Sequence, residues 1–300
     1  MGKVLGWVAY VLVYVFTWIL SVLPQRLFYA LSDVSAFLLC YVVRYRRGTV
    51  LGNLSRSFPE KSEAEVRRIA WGFYRHLSDL ILEEAFLLHA SAKRMMARCS
   101  YTNVELLTPY YEAGRSVVIA AAHYANWEFL TTAAPQIRHK MLSIYKPVNN
   151  KRLERLLTGS RERLGSETVL MKDTFRTVLR YEQQHVPTLI GLITDQTPWK
   201  GNHYWGRFLN QDTLVFRGIE HIAKRFNLPV FFCNMQRVRR GHYQITLELI
   251  TDDPCHTPDD WITAQHLAAL ERCIQANPAP WLWSHRRWKY SKPTMPDGQG

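Results

Sequence analysis

The chain has 300 residues, 47% of them apolar, and carries a net charge of +13 from 38 basic and 25 acidic residues. This length gives one large domain or two small ones an ample core. The positive charge indicates an anionic partner, which is nucleic acid, lipid headgroups or an acidic carrier protein. Five scattered cysteines without a CxxC pair argue against a disulfide framework and a structural zinc site, and are typical of a reducing compartment.

The N-terminal segment is strongly apolar. Residues 4–23 include no charged side chain, and a helix of that length spans about 30 Å, the thickness of a bilayer core. We therefore expect a transmembrane helix, with a buried core helix as the alternative. Only Lys3 precedes this segment, whereas Arg26 and the arginines of residues 44–47 follow it. The positive-inside rule then puts the bulk of the chain in the cytoplasm.

A second apolar segment, residues 27–43, is interrupted by Asp33 and two serines. It either spans the membrane as well or lies along the membrane face. We favour the second interpretation, because the arginines at its end suit contact with anionic headgroups.

A helix is predicted after this region, because Ser62 and Glu65 have the spacing of a capping box. Apolar residues recur at helical intervals over residues 66–88, as one long helix or two. We interpret the charged residues of this stretch as a polar face without a chemical role; they are His76, Asp79, Glu83 and Glu84.

The clearest candidate for chemistry follows a buried strand. Residues 117–122 are small or apolar, and they run directly into His123, with Glu128 five positions later. The two side chains meet if His123 lies in the turn after the strand and Glu128 in the first turn of a helix. An imidazole held by a carboxylate is the arrangement that a general base requires. The alternative is that both residues are structural or solvated.

A second strand, residues 188–194, ends in Asp195 and Gln196. Ligands of open α/β sheets gather at the carboxyl ends of strands, so this polar pair is expected near His123, or else it caps a turn. Between the two strands, a third strand over residues 141–145 leads to a basic helix over residues 151–163. Residues 199–212 are predicted to form a loop that acts as a lid or a wall of the site.

The C-terminal residues 281–289 interleave tryptophan with basic side chains. This composition suits a membrane interface, where the rings lie at headgroup depth and Arg286 and Arg287 pair with phosphates. It also suits stacking on bases, but the predicted anchor argues against a nucleic-acid partner. The sequence contains no GxGxxG, phosphate-binding loop, HExxH, paired-cysteine or GxSxG motif, so we predict neither cofactor nor metal.

Four motifs occur in an order that resembles one known family. They are SFPEKS at residues 57–62, HYANWE at 123–128, DQTP at 195–198 and WSHRRWK at 283–289. Together they resemble the lipid A biosynthesis late acyltransferases of Gram-negative bacteria, which carry the HxxxxD/E motif of glycerolipid acyltransferases. The resemblance implies that His123 is the general base, oriented by Glu128. A catalytic arginine is implied near the end of the basic helix, at Arg161 or Arg163, of which we favour Arg161.

The same resemblance implies where the substrates bind. The expected substrate-binding residues are Asn126, Trp127, Lys146, Asn149, Asp195, Gln196, Arg286 and Arg287. Lys146 stands where the family has arginine, which keeps the charge but loses the bidentate fork. The implied reaction moves an acyl chain from an acyl carrier protein thioester, or from coenzyme A, to a hydroxyl of an anionic lipid A precursor.

The implied fold is α/β, with a mixed, largely parallel sheet surrounded by helices and an N-terminal transmembrane helix. Residues 1–47 are expected to be the membrane part, 48–292 the catalytic domain and 293–300 a disordered tail. The expected location is the bacterial inner membrane, with the catalytic domain on its cytoplasmic face. Two alternatives stay open: an acyltransferase acting on another lipid, and a non-enzymatic basic protein that binds anionic lipid.

Overall fold

Five consecutive buried residues, Val117–Ala121, form the central strand of the main sheet. The computed structural model describes residues 2–198 and 203–292. The strands in this part of the chain are β1 (Cys99–Tyr101), β2 (Val117–Ala121), β3 (Lys140–Tyr145), β4 (Glu167–Leu170), β5 (Thr188–Ile193), β6 (His203–Phe208), β7 (Gln211–Phe216), β8 (Val230–Arg239) and β9 (His242–Thr251).

The α-helices surround the sheet. They are α1 (Gly2–Val22), α2 (Gln25–Phe37), α3 (Arg47–Ser57), α4 (Glu63–His89), α5 (Ala92–Met96), α6 (Thr108–Glu112), α7 (Lys151–Glu162), α8 (Thr174–Gln183), α9 (Gly218–Phe226) and α10 (Trp261–Ala276). A π-helical turn, Leu38–Val42, extends α2. A 3₁₀ helix, Trp127–Gln136, follows β2.

The main sheet has the strand order β1-β9-β8-β2-β5-β3-β4 within the described residues. Neighbouring strands are parallel except for the β8–β9 hairpin. The side chains of β2 alternate between two cores. Val117 and Ile119 pack on the side of α4, and Val118 and Ala120 pack on the side of α8 and α9. A strand buried on both faces explains its continuous apolar run. The predicted α/β class, with a mixed and largely parallel sheet, is confirmed.

The helix predicted after Ser62 is one long helix, α4. Ser62 and Glu65 form the expected capping box, with reciprocal hydrogen bonds between side chain and backbone. The interpretation of its charged residues as a polar face was wrong for His76, Asp79 and Glu83, which are all almost fully buried. Their spacing of three and then four residues puts them in one stripe, and that stripe faces the sheet rather than solvent.

The first two helices pack against α4 and present apolar side chains outward. The large exposed apolar residues of α1, α2 and the π-helical turn include Leu12, Phe16, Trp18, Leu27, Leu31, Val34, Phe37 and Val42. In the part of the chain that the structure describes, no single helix is both long and apolar enough to cross a bilayer. One pair of helices, Gln25–Val42 and Arg47–Ser57, meets that requirement only when the two are taken together, and the chain bends by 88° between them. The predicted transmembrane helix stays a prediction.

Much of the loop predicted over residues 199–212 is a β-hairpin. β6 and β7 pair antiparallel, with Phe208 opposite Gln211. Leu209 and Asn210 between them both have positive φ, at 48° and 63°, as a two-residue type I′ turn requires. The sequence lacks the glycine that usually marks this turn, which is why a loop was expected. Residues 199–202 of the predicted loop lie outside the described residues, as does the predicted tail at 293–300.

Candidate active site

Sheet register brings His123 and Asp195 together. Ala121 of β2 lies opposite Ile193 of β5, and each of the two polar residues follows two positions after its strand partner. The Nδ1 atom of His123 lies 2.6 Å from Oδ1 of Asp195, and the backbone N–H of His123 donates to Oδ2 at 3.1 Å. Two parallel neighbours therefore deliver an imidazole and a carboxylate to the same edge of the sheet, as open α/β folds do at their ligand sites.

Asp195 is ionised despite its burial. Burial alone would raise the pKa of this carboxyl group, but the charge and the hydrogen bonds of His123 lower it, as does the indole N–H of Trp281, 2.9 Å from Oδ2. The net effect lowers the pKa of Asp195 to about 2. The carboxylate accepts three donors and is fixed in its orientation.

His123 is held as one tautomer. Because the carboxylate of Asp195 accepts from Nδ1–H, the Nε2 atom carries the lone pair. The amide nitrogen of Gln196 lies 3.2 Å from that atom. Burial lowers the pKa of His123, but the charge and hydrogen bond of Asp195 and the charge of Glu128 outweigh it and raise the pKa above its usual 6.5. The ring of Trp127 packs edge-on against the imidazole, with centroids 4.8 Å apart.

Glu128 does not orient the imidazole, which corrects the expectation from the sequence. It lies in the first turn of the 3₁₀ helix, as predicted, but its Oε2 atom accepts from Nη2 and Nε of Arg161 at 2.7 Å and 3.2 Å. The reason is local: Ala125, in the turn before it, has a left-handed φ of 53°, and the chain then turns Glu128 toward α7. The site therefore contains two separate pairs, His123 with Asp195 and Glu128 with Arg161.

An apolar groove begins beside these pairs. It encloses about 800 Å³, including the part open to solvent, and Trp127, Glu128 and Arg161 line it next to His123. Most of the wall is apolar; its members include Val104, Leu107, Ile119, Leu130, Ala133, Ile137, Met141, Ile144, Leu189, Ile193, Ile245 and Leu247. The groove runs across the face of the sheet that carries Ile119 of β2. A flexible apolar ligand with a polar reacting end fits such a site.

Of the remaining residues predicted to bind substrate, some are exposed and one is buried in the core. Lys146 and Asn149 are exposed in the loop before α7, and the described residues give them no hydrogen bond to His123 or Glu128. Asn126, expected to touch substrate, is 1% exposed, and its amide nitrogen donates to Glu83 at 2.7 Å. Its short amide side chain points into the core between α4 and the sheet, so it supports the loop.

The C-terminal segment is packed against the site, in contrast to the membrane-interface role expected for it. Trp281, Trp283 and Arg287 are each at most 2% exposed. Nη1 of Arg287 donates to the carbonyl of Leu214 at 2.6 Å, so this arginine is used inside the protein, whereas Arg286 is exposed. Burying the large indole rings outweighs keeping them at the surface.

Backbone contacts tie this segment to the loop that follows β2. Tyr124 and Trp281 form an antiparallel bridge, and the N–H of Leu282 donates to the carbonyl of His123 at 3.2 Å. The side-chain amide of Asn53, in α3, donates in turn to the carbonyl of Trp283. The bond from Trp281 to Asp195 was not predicted, although the alternation of Trp281 and Trp283 with smaller residues is a signal for a strand-like buried segment.

Within residues 2–198 and 203–292, no group of three or more histidine, cysteine, aspartate or glutamate side chains is arranged to hold a metal ion.

Comparison with known proteins agrees with this geometry. No curated protein matches the sequence. The family model described as "Bacterial lipid A biosynthesis acyltransferase" matches residues 3–290, nearly the whole chain. The protein therefore belongs to the bacterial lipid A biosynthesis acyltransferase family and is an acyltransferase.

Proposed function

We propose that this protein transfers a fatty acyl chain from an acyl carrier protein thioester to a hydroxyl of a lipid A precursor, with His123 as the general base. The observation that carries the proposal is the pairing of His123 with Asp195 beside the opening of an apolar groove. Family membership supports an acyltransferase of lipid A biosynthesis. The proposal goes beyond family membership in three respects, which are the acyl donor, the roles of individual residues and the attachment to a membrane.

The proton transfer uses the lone pair on Nε2 of His123, where the acceptor hydroxyl displaces the amide of Gln196. Nε2 accepts the proton of the acceptor hydroxyl as its oxygen attacks the thioester carbonyl, and Asp195 stabilises the imidazolium that forms. When the tetrahedral intermediate collapses, the carbon–sulfur bond breaks and the imidazolium returns the proton to the leaving thiolate. Direct transfer of this kind needs no nucleophilic side chain, in agreement with the absence of a GxSxG motif in the sequence.

Arg161 is proposed to stabilise the negative charge that develops on the carbonyl oxygen. Glu128 holds its Nε and Nη2 atoms and leaves Nη1 available to an oxyanion. Both side chains line the groove next to Trp127, so the guanidinium group is fixed before the substrate arrives. A preorganised donor in a site with little water is the most effective form of such stabilisation.

The groove is proposed to hold the acyl chain of the donor. Its wall is mostly apolar, and its charged members, Glu128 and Arg161, line it together with Trp127, whose ring packs against His123. A thioester bound with its chain in the groove has its carbonyl at the polar end. Burying the chain contributes about 0.8 kcal/mol for each methylene, enough to favour chains that fill the groove.

Membrane attachment through the N-terminal helices is proposed from their outer surface. Large apolar side chains of α1 and α2 are exposed, and Arg26 and Arg44 beside them are exposed as well. Apolar and basic groups together favour an anionic bilayer surface. With the charge of +13, this supports a location at the cytoplasmic face of the bacterial inner membrane, where an acidic carrier and an anionic glycolipid are both attracted.

The test is mass spectrometry of lipids after incubation of the purified protein with an acyl carrier protein thioester and a lipid A precursor. We expect a mass gain of one acyl chain with the wild type and none with His123→Ala. Coenzyme A thioesters in a parallel reaction identify the donor. If His123→Ala turns over at the wild-type rate, the proposed role of His123 is wrong; a gain only with other lipid acceptors replaces the acceptor.

A further inference from the structure

One fully buried carboxyl group links three parts of the fold. Glu83 of α4 is 0% exposed, and its oxygens accept hydrogen bonds from Tyr29 of α2 at 2.8 Å, Asn126 at 2.7 Å and Tyr243 of β9 at 2.6 Å. Burial raises the pKa of Glu83 against these bonds. A buried carboxyl group loses its hydration, so a position where its two oxygens accept from three separate parts of the chain is a poor choice for packing alone.

The loop that Glu83 holds is strained, and it carries one member of each pair, His123 and Glu128. Ala125 has a left-handed φ of 53°, which is uncommon for a residue with a Cβ atom. Its N–H donates to the carbonyl of Pro280 at 3.2 Å, and its carbonyl accepts from Nε2 of His76 at 3.1 Å. Asn126 is the next residue, and it precedes the 3₁₀ helix that bears Glu128. His123 lies on one side of this strained point and Glu128 on the other.

The anchoring of Asn126 is one-sided. Its amide nitrogen donates to Glu83, while its buried Oδ1 atom has no hydrogen-bond partner among the described residues. The position of the amide is therefore set by Glu83. The phenolic group of Tyr29 shares the same carboxyl group, and α2, which carries it, exposes Leu27, Leu31 and Val34 on its other side.

We propose that Glu83 is a positioning residue through which the docking of α2 on α4 fixes the loop of residues 123–128, so that His123 is held beside the groove that Glu128 lines. Glu83 touches no reacting atom and acts through Asn126. The inference rests on the proposed function for its kinetic consequences, but the geometry it predicts at His123 is measurable without turnover.

The test is a double-mutant cycle with Glu83→Gln and Asn126→Ala, each compared with the wild type. Glu83→Gln keeps the size of the side chain and replaces one carboxylate oxygen by an amide nitrogen, which cannot accept the hydrogen bonds made to that oxygen. We expect kcat to fall by about 10²-fold with KM little changed, because small displacements of catalytic groups have effects of that size. If Glu83 acts through Asn126, the double variant is no slower than Asn126→Ala alone. Independent, additive losses would overturn the proposal.

The link to α2 is tested with Tyr29→Phe, which removes one hydroxyl and keeps the ring. We expect kcat to fall about fivefold, the equivalent of one ordinary hydrogen bond. The matched control is Thr17→Val, which removes the 2.8 Å contact between Thr17 of α1 and His89 in the last turn of α4. Thr17→Val is expected to keep the wild-type kcat. An equal fall in kcat in Tyr29→Phe and Thr17→Val would show that any contact supporting α4 has this effect, and would contradict a specific link through Glu83.

A readout without turnover separates this proposal from the function it rests on. In protein labelled at histidine, the ring resonances of His123 are expected to move in Glu83→Gln and Tyr29→Phe and to stay in place in Thr17→Val. Resonances that are unchanged in a folded Glu83→Gln protein would contradict the positioning role. Failure of the proposed function would instead appear as an inactive wild type, whatever the resonances do.

Discussion

Two carboxylates lie near His123, and they differ in how they arrive there. Glu128 is five residues away in sequence, and its carboxylate is bonded to Arg161. Asp195 is 72 residues away, is 4% exposed, and accepts both the imidazole and the backbone N–H of His123. The carboxylate distant in sequence is the one that is bonded to the imidazole of His123. Proximity along the chain was a weaker guide to the partner than strand order and register.

The two carboxylates also differ in the charge they balance. Asp195 faces a histidine whose charge changes during the proposed reaction. Glu128 faces an arginine that stays charged at every physiological pH. We therefore expect loss of Asp195 to impair proton transfer, and loss of Glu128 to impair the placement of Arg161. Substitutions at the two sites separate these roles.

The largest effect is expected from Asp195→Asn. The amide nitrogen of asparagine would donate to Nδ1 of His123 and stabilise the wrong tautomer, so kcat should fall by about 10³-fold or more. Asp253→Asn is a matched control, because Asp253 also bonds a histidine, His256, at 2.6 Å, but on the surface. Steady-state turnover of the two variants is the measurement. A wild-type rate for Asp195→Asn would remove Asp195 from the mechanism.

Arg161→Ala is expected to have the next largest effect. Loss of one oxyanion donor typically lowers kcat by about 10²-fold to 10³-fold, and Arg161→Lys should recover part of it. The control is Arg163→Ala, since Arg163 donates to the carbonyls of Leu87 and Leu88 at the end of α4. That variant is expected to lower the melting temperature with little change in kcat. The reverse result would transfer the catalytic role to Arg163.

Glu128→Gln is expected to have a smaller effect, a fall in kcat of about tenfold, because the amide oxygen still accepts from Arg161 but the charge-assisted bond is lost. Glu154→Gln, in the first turn of α7, weakens comparable bonds from Tyr145 and Lys151 and should leave kcat unchanged. A fall as large as that of Asp195→Asn would show that Glu128 supports the base directly.

The smallest effect tests the groove. A Cβ at Gly191 would lie 3.6 Å from the carbonyl of Leu142, which is an ordinary contact. Gly191→Ala should therefore fold normally, while the added methyl group narrows the groove. We expect the preference for a long over a shorter acyl donor to fall about fourfold, equivalent to one methylene. Competition between two acyl donors measures it. Gly159→Ala, with nothing within 4 Å of its Cβ, is the control. An unchanged preference would place the chain elsewhere.

Strand patterns and strand ends predicted most of the fold and the position of His123. The apolar runs before His123 and Asp195 identified two parallel strands, and their shared edge was expected from the way that such sheets bind ligands. The order of the strands in the sheet could not be predicted from the sequence, because hydrophobic periodicity does not show which strands are neighbours. Without it, Glu128 was the nearest acid, and the register that brings Asp195 to Nδ1 was not visible.

The other incorrect predictions have a common cause: polar and aromatic residues were predicted to lie at the surface. Glu83 and Asp79 are buried because tyrosine, asparagine and arginine side chains supply their hydrogen bonds. Trp281 and Arg287 are buried because the C-terminal segment folds back over the loop that follows β2. Such compensation comes from residues far along the chain, so local composition does not reveal it.

The most direct measurement of the account is an NMR titration of His123 in the wild type, Asp195→Asn and Glu128→Gln. Both carboxylates favour the charged imidazole, so removing either lowers the pKa of His123 from its raised value. We predict the larger fall in Asp195→Asn, with the rising limb of the pH–rate profile moving to lower pH because the base stays unprotonated in more acidic solution. A fall in Glu128→Gln alone, with Asp195→Asn unchanged, would show that Glu128 is the partner of the base and contradict the account.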